Sequence, residues 1–132
     1  MSLERDFIKY TGGPVISTRD RLHVTISPLG VIYLNKRTFE AWSRPVSVSL
    51  YYSAEKDTIA LEHASPRDRR AFPVKPCQNA YRILAGPFLG HFNIRTPHTI
   101  RFTQPEVEGP LLLLNLRETV NTTARQSPNG KR

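Results

Sequence analysis

Fourteen arginines and five lysines stand against 11 acidic residues in a chain of 132, giving a formal net charge of +8 and a pI near 10.2. Arginine carries a planar fork of donors that matches phosphate oxygens and the exposed edge of guanine. An excess of this kind points to a polyanionic partner, nucleic acid before others. The competing explanation for any one of these residues is a solvated surface. Arg19 and Arg21 precede the alternating stretch "RLHVTIS", Lys36 and Arg37 open an apolar helical turn, and Arg44 follows it. The densest basic run is "RDRR", which contributes Arg67, Arg69 and Arg70, with Lys75 close behind. Two cations at a helix start oppose the helix dipole, so Lys36 and Arg37 are poorly placed for stability alone.

Other chemistries find little support. His23, His63, His91 and His98 are scattered, and Cys77 is the single cysteine, so no metal-ligand spacing and no internal disulfide is expected. No nucleophile motif and no phosphate-cradling glycine loop occurs, since "TGGP" lacks the following lysine and helix. An enzyme and a bound cofactor are therefore not expected. No run approaches the roughly 18 apolar residues of a membrane helix, and "MSLERDFIKY" lacks an apolar signal core, so a cytoplasmic protein without a membrane partner is expected.

The elements that must hold the cations are short, as 11 prolines require. "RLHVTIS" alternates with Leu22, Val24 and Ile26 on one face, "SPLG" turns the chain, and "VIYL" reads as a second strand. Asn35 is a fitting helix N-cap before "KRTFEAW". "VSVSLYYS" is the cleanest strand, "AEKD" a hairpin loop, and "TIALEH" the return strand. Phe39, Trp42, Tyr52, Phe88, Phe92 and Phe102 fit a core, and Tyr51 falls on the outer phase. Residues 64–80 read as a basic, proline-rich linker with a short extended piece at "FPV". "YRIL" is then a strand, Pro87 begins a helical turn, "HTIRFT" is a strand, "QPEVEG" a hairpin loop and "LLLLNL" the return.

A shift of about 50 residues superposes the halves: Leu34 falls on Leu84, Phe39 on Leu89, Trp42 on Phe92, Leu50 on Ile100 and Tyr52 on Phe102. The second hairpin loop is slightly longer. Each unit reads as strand, helical turn, strand, hairpin and strand, and neither can bury its apolar face alone. The expected fold is mostly β with short helices, two such units closing into one pseudo-twofold barrel. Its parts are an N-terminal segment (1–20), a first unit (21–63), the linker (64–80), a second unit (81–118) and a disordered basic tail (119–132).

The stretch "VTISPLGVIYLNKRTFEAW" followed by "VSVSLYYSAEKDTIALEH" resembles the swapped-hairpin DNA-binding domains of the AbrB, SpoVT and MazE type. Gly30 takes that pattern's turn position, Ile32 and Leu34 its apolar strand, and Lys36 to Trp42 its helix. Two units in one chain are similar to the MraZ-like arrangement. The resemblance implies a DNA-binding protein, a transcription regulator, with double-stranded DNA as partner and homo-oligomers as in that family. It places DNA contacts on basic residues near the first strand and its loops, which here are Arg19, Arg21, Lys36, Arg37 and Arg44. Apart from the resemblance, Arg67, Arg69 and Arg70 in the linker between the units could cross a backbone groove. The alternative expectation is a protein-interaction or assembly module on the same fold. The two part on whether the cations gather on one face.

Overall fold

The computed structural model describes residues 21–122. Of these, 45% are strand and 12% helix, which agrees with the mostly-β expectation. The first half runs β1 (Val24–Ile26), β2 (Val31–Asn35), α1 (Lys36–Ala41), β3 (Ser47–Ser53) and β4 (Thr58–Ala64). Two short strands follow, β5 (Phe72–Pro73) and β6 (Lys75–Cys77). The second half runs β7 (Ala80–Leu84), α2 (Gly86–His91), β8 (Ile100–Phe102), β9 (Glu106–Glu108), β10 (Leu111–Asn115) and β11 (Thr119–Asn121). Neither helix is long and apolar enough to cross a membrane.

The strands make two sheets. One has six strands in the order β11-β8-β1-β2-β7-β6, the other five in the order β5-β3-β4-β10-β9. The single closed barrel expected from the sequence is not formed by the hydrogen bonds, which end at β11 and β6 in one sheet and at β5 and β9 in the other. One apolar cluster joins the two sheets: Val24, Ile26, Ile32, Leu34, Ile83 and Phe102 come from the first, Val48, Ile59, Leu61, Leu112 and Leu114 from the second. Trp42 is fully buried and donates its indole N–H to Pro110 O at 2.8 Å. That bond fixes the end of α1 against the β9–β10 turn.

The halves complete each other's sheets. β1 pairs with β8 through Thr25–Arg101 and Ile26–Ile100, and β5 pairs with β3 through Val48–Phe72 and Ser47–Pro73. β2 lies against β7 about the pair Ile32–Ile83, and β4 against β10 through Leu61–Leu112 and Ile59–Leu114. The helices have equal length and start 50 residues apart, as the repeat predicts.

The register between the halves differs from the expectation in one residue. Leu84 does not take Leu34's place: it is 49% exposed, and Ile83 is the core residue opposite Ile32. In the first half buried Leu34 ends the inward row and half-buried Asn35 precedes α1, whereas in the second Leu84 points outward and buried Ala85, one residue past the end of β7, precedes α2. The cap is what the exchange of Asn35 for Ala85 at this position removes. Asn35 accepts the Thr38 N–H at 2.9 Å, while α2 has no side-chain cap and relies on Pro87 in its first turn. Opposite the buried Ala85 lies Gly30, whose carbonyl accepts the Ala85 N–H at 2.9 Å. Gly30 has φ +83°, and a Cβ there would stand 2.8 Å from Gly86 Cα.

Three further stretches depart from the expectation. "QPEVEG" is not the loop of a hairpin between β8 and β10, which lie in different sheets: Glu106–Glu108 is a strand because Val107 faces Leu112, and the hairpin turn is Gly109-Pro110 with Gly109 at φ +58°. The 64–80 segment supplies two strands, β5 and β6. The stretch from Thr119, expected to be disordered, begins with β11, which covers the free edge of β8 through Thr119–Phe102 and Val120–Arg101. The rest of that tail and the 1–20 segment lie outside the described residues. Phe92 also departs from the core role: it is 43% exposed, packing on Phe88, His91 and Tyr52 at the surface.

Candidate nucleic-acid interface

Strand alternation sets the chemistry of the six-stranded sheet. Val24, Ile26, Ile32, Leu34, Ile83 and Phe102 point into the core, so the residues between them point out. Register then aligns one outward row across all six strands: Val120, Arg101, Thr25, Tyr33, Arg82 and Lys75. Three of the six are cations. No strand of this sheet carries an aspartate or glutamate. The strands of the other sheet carry Glu62, Glu106 and Glu108 and no lysine or arginine. The charge of the strands is thus sorted by sheet.

The row is not neutralised from within. The one ion pair among the described residues is Arg44–Glu40, at 3.5 Å on the surface of α1. Arg82 Nε is buried and has no hydrogen-bond partner, so its donor is held away from water without an acceptor. Arg101 and Arg21 act on His23. Burial, then the Arg101 and Arg21 cations, hold its imidazole below its usual 6.5. Its Nδ1 is also buried without a partner.

Arg21, Lys36 and Arg37 gather at one end of this sheet. Asn35 is the knot: its Nδ2 donates to Arg21 O at 2.8 Å, while its Oδ1 accepts from Thr38 N and, at 2.6 Å, from Thr38 Oγ1. Thr38 Oγ1 in turn accepts the His23 N–H at 2.8 Å. The start of β1 and the start of α1 are therefore laced together, and all three cations are exposed.

The remaining expected residues are not brought to this row. Arg44 lies past the far end of α1, at φ +53°, and faces Glu40. Arg67, Arg69 and Arg70 are exposed in the turn between β4 and β5, strands of the other sheet. Backbone N–H groups there bond Ser65 Oγ and Asp68 Oδ1, which shapes a local turn. Arg19 lies outside the described residues. Sequence reasoning missed Arg82 and Arg101 as site residues and named Lys75 only as part of the linker. The signal was present: Arg82 precedes Ile83, and Arg101 sits between Ile100 and Phe102, each on the outer phase of a recognised strand.

No relative decides the matter. Compared with protein-family models, curated proteins and solved structures, the chain matches none.

Proposed function

We propose that this chain is a small cytoplasmic DNA-binding protein, a transcription regulator in the AbrB manner, that meets duplex DNA with the outer face of its six-stranded sheet. The observation that carries the reading is the sorting of strand charge, with Lys75, Arg82 and Arg101 in one outward row and no carboxylate on those strands. Arg82 and Arg101 stand three strand spacings apart, about 14 Å at the usual inter-strand distance. That separation is close to the roughly 12 Å width of a major groove, so the two cations would reach phosphates on opposite sides of it. Thr25 and Tyr33 lie between them and would face the groove. Arg21, Lys36 and Arg37 would extend the contact along the backbone. The exchanged strands and the equally spaced helices support a duplicated swapped-hairpin unit, with the two sheets as the flattened sides of a barrel-like body.

The test is binding to a mixed-sequence duplex across a salt series, with single-stranded DNA and RNA as competitors. Log affinity should fall steeply with log salt. Replacing Arg82 and Arg101 together with alanine should make that slope shallower by about 1.8, since each phosphate contact contributes about 0.9. Absence of binding by the unmodified protein at low salt would overturn the reading and leave the interaction-module alternative.

A further inference from the structure

The face opposite the basic one is built in the same way with the opposite sign. On the five-stranded sheet, Val48, Ile59, Leu61, Leu112 and Leu114 point inward. Register places two outward rows: Tyr51, Ala60, Leu113 and Glu106, and beside it Ser49, Glu62, Leu111 and Glu108. Each outward leucine of β10 therefore has a carboxylate directly across from it on β9. Tyr51 is 51% exposed and donates its hydroxyl to Glu62 Oε1 at 3.1 Å. A groove of about 280 Å³ runs beside Tyr51, Ala60 and Leu113. Nothing among the described residues covers these leucines, which remain half-buried.

The basic face offers a matching counterpart. Next to its cationic row, Val31 pairs with Leu84 on the outer phase, and Leu84 is 49% exposed. Val120, at the end of the row, is 40% exposed. The strands of one face thus combine apolar side chains with three cations, and those of the other combine apolar side chains with three carboxylates, while the cations on that side (Lys56, Arg67, Arg69 and Arg70) lie in its turns. At a net charge of +8, copies of the chain repel one another in most orientations. Bringing the basic face of one copy onto the acidic face of the next is the orientation in which local charge attracts and apolar surface is covered on both sides.

We infer that this protein self-associates head to tail, the outer face of the six-stranded sheet of one copy seating on the outer face of the five-stranded sheet of the next. The contact is heterologous, so a joined pair leaves one basic and one acidic face unused and the assembly grows into a ring or an open row. Because it uses the cations that the proposed DNA contact uses, duplex and neighbour compete for them. That last consequence rests on the DNA-binding reading; the self-association does not.

The experiment is analytical ultracentrifugation of the full chain against protein concentration and salt. At low salt the mass should rise with concentration above that of one chain, and it should return to one chain at high salt. The double variant E106R/E108R should stay monomeric at low salt. The double variant R82E/R101E should do the same, and mixing the two should restore assembly, because the basic face of the first still meets the acidic face of the second. A single-chain mass for the unmodified protein under all conditions would overturn the inference. So would association that survives E106R/E108R, since the contact would then lie elsewhere. Should R82E/R101E fail to fold, the salt series and E106R/E108R still decide. Duplex titrated into the same samples separates the two readings. Assembly without DNA binding overturns the proposed function alone, and DNA binding by a strictly monomeric protein overturns the head-to-tail contact alone.

Discussion

Gly30 shows how much a single hydrogen atom can decide. Its positive φ closes the β1–β2 turn, and its missing side chain lets Gly86 at the start of α2 approach the turn backbone. Gly30→Ala combines a left-handed conformation with a 2.8 Å clash against backbone, and should cost about 2 kcal/mol or more. Gly90 is the control. It lies in α2 with nothing within 4 Å of an added Cβ, so Gly90→Ala should stabilise by about 0.5 kcal/mol through helix propensity. Urea denaturation of the two variants should move the midpoint in opposite directions. The sequence made Gly30 legible as a turn residue through "SPLG". Its close approach to Gly86 was not legible, because it depends on where α2 lands, 56 residues further along.

Elements carry the next level of the argument. α1 has an N-cap from Asn35 and a buried anchor in Trp42, whose indole N–H reaches across to Pro110 O. His63 joins the same knot: its N–H donates to Pro110 O at 3.1 Å, and its Nε2 lies 2.6 Å from Trp42 O. Trp42→Phe keeps an aromatic ring but removes the donor and leaves a void. A loss of about 2 kcal/mol is expected, roughly half from the hydrogen bond and half from packing. The urea midpoint should fall with an unchanged slope. Strands and helices were legible where apolar residues alternate or recur, as in "VSVSLYYS" and "KRTFEAW". β9 and β11 were not. "EVE" and "TVN" hold one apolar residue each, and only a partner strand makes them strands. Arg82 and Arg101 were hidden for a related reason. Each looked like a lone cation inside an apolar strand until register placed it beside the others.

At the scale of the whole molecule, the charge of the strands is sorted by sheet, and His23 reports on it. Its pKa is lowered in the folded state by burial and by Arg101 and Arg21. Above about pH 6.5 the ring is neutral in both states and the full stability is present. As pH falls below that value the unfolded chain takes up a proton that the folded one resists, and stability declines until the folded pKa is reached. The urea midpoint should therefore drop between pH 7.5 and pH 5.5, and His23→Gln should flatten part of that drop. On the proposed DNA contact, phosphate beside Arg101 and Arg21 would offset the part of this lowering that those cations cause, so duplex binding should take up protons as the pH falls through this interval.

The exchange of strands between the halves has a consequence for how the chain is made. β1 gains its second neighbour only from β8, about 75 residues later in the chain. β4 waits in the same way for β10. At a synthesis rate of roughly 5–20 residues per second, the edge of β1 stays bare for about 4–15 s and that of β4 for about 3–11 s. Through that interval charged and polar residues on the outer phases of the first half's strands are what oppose edge-to-edge pairing with other chains.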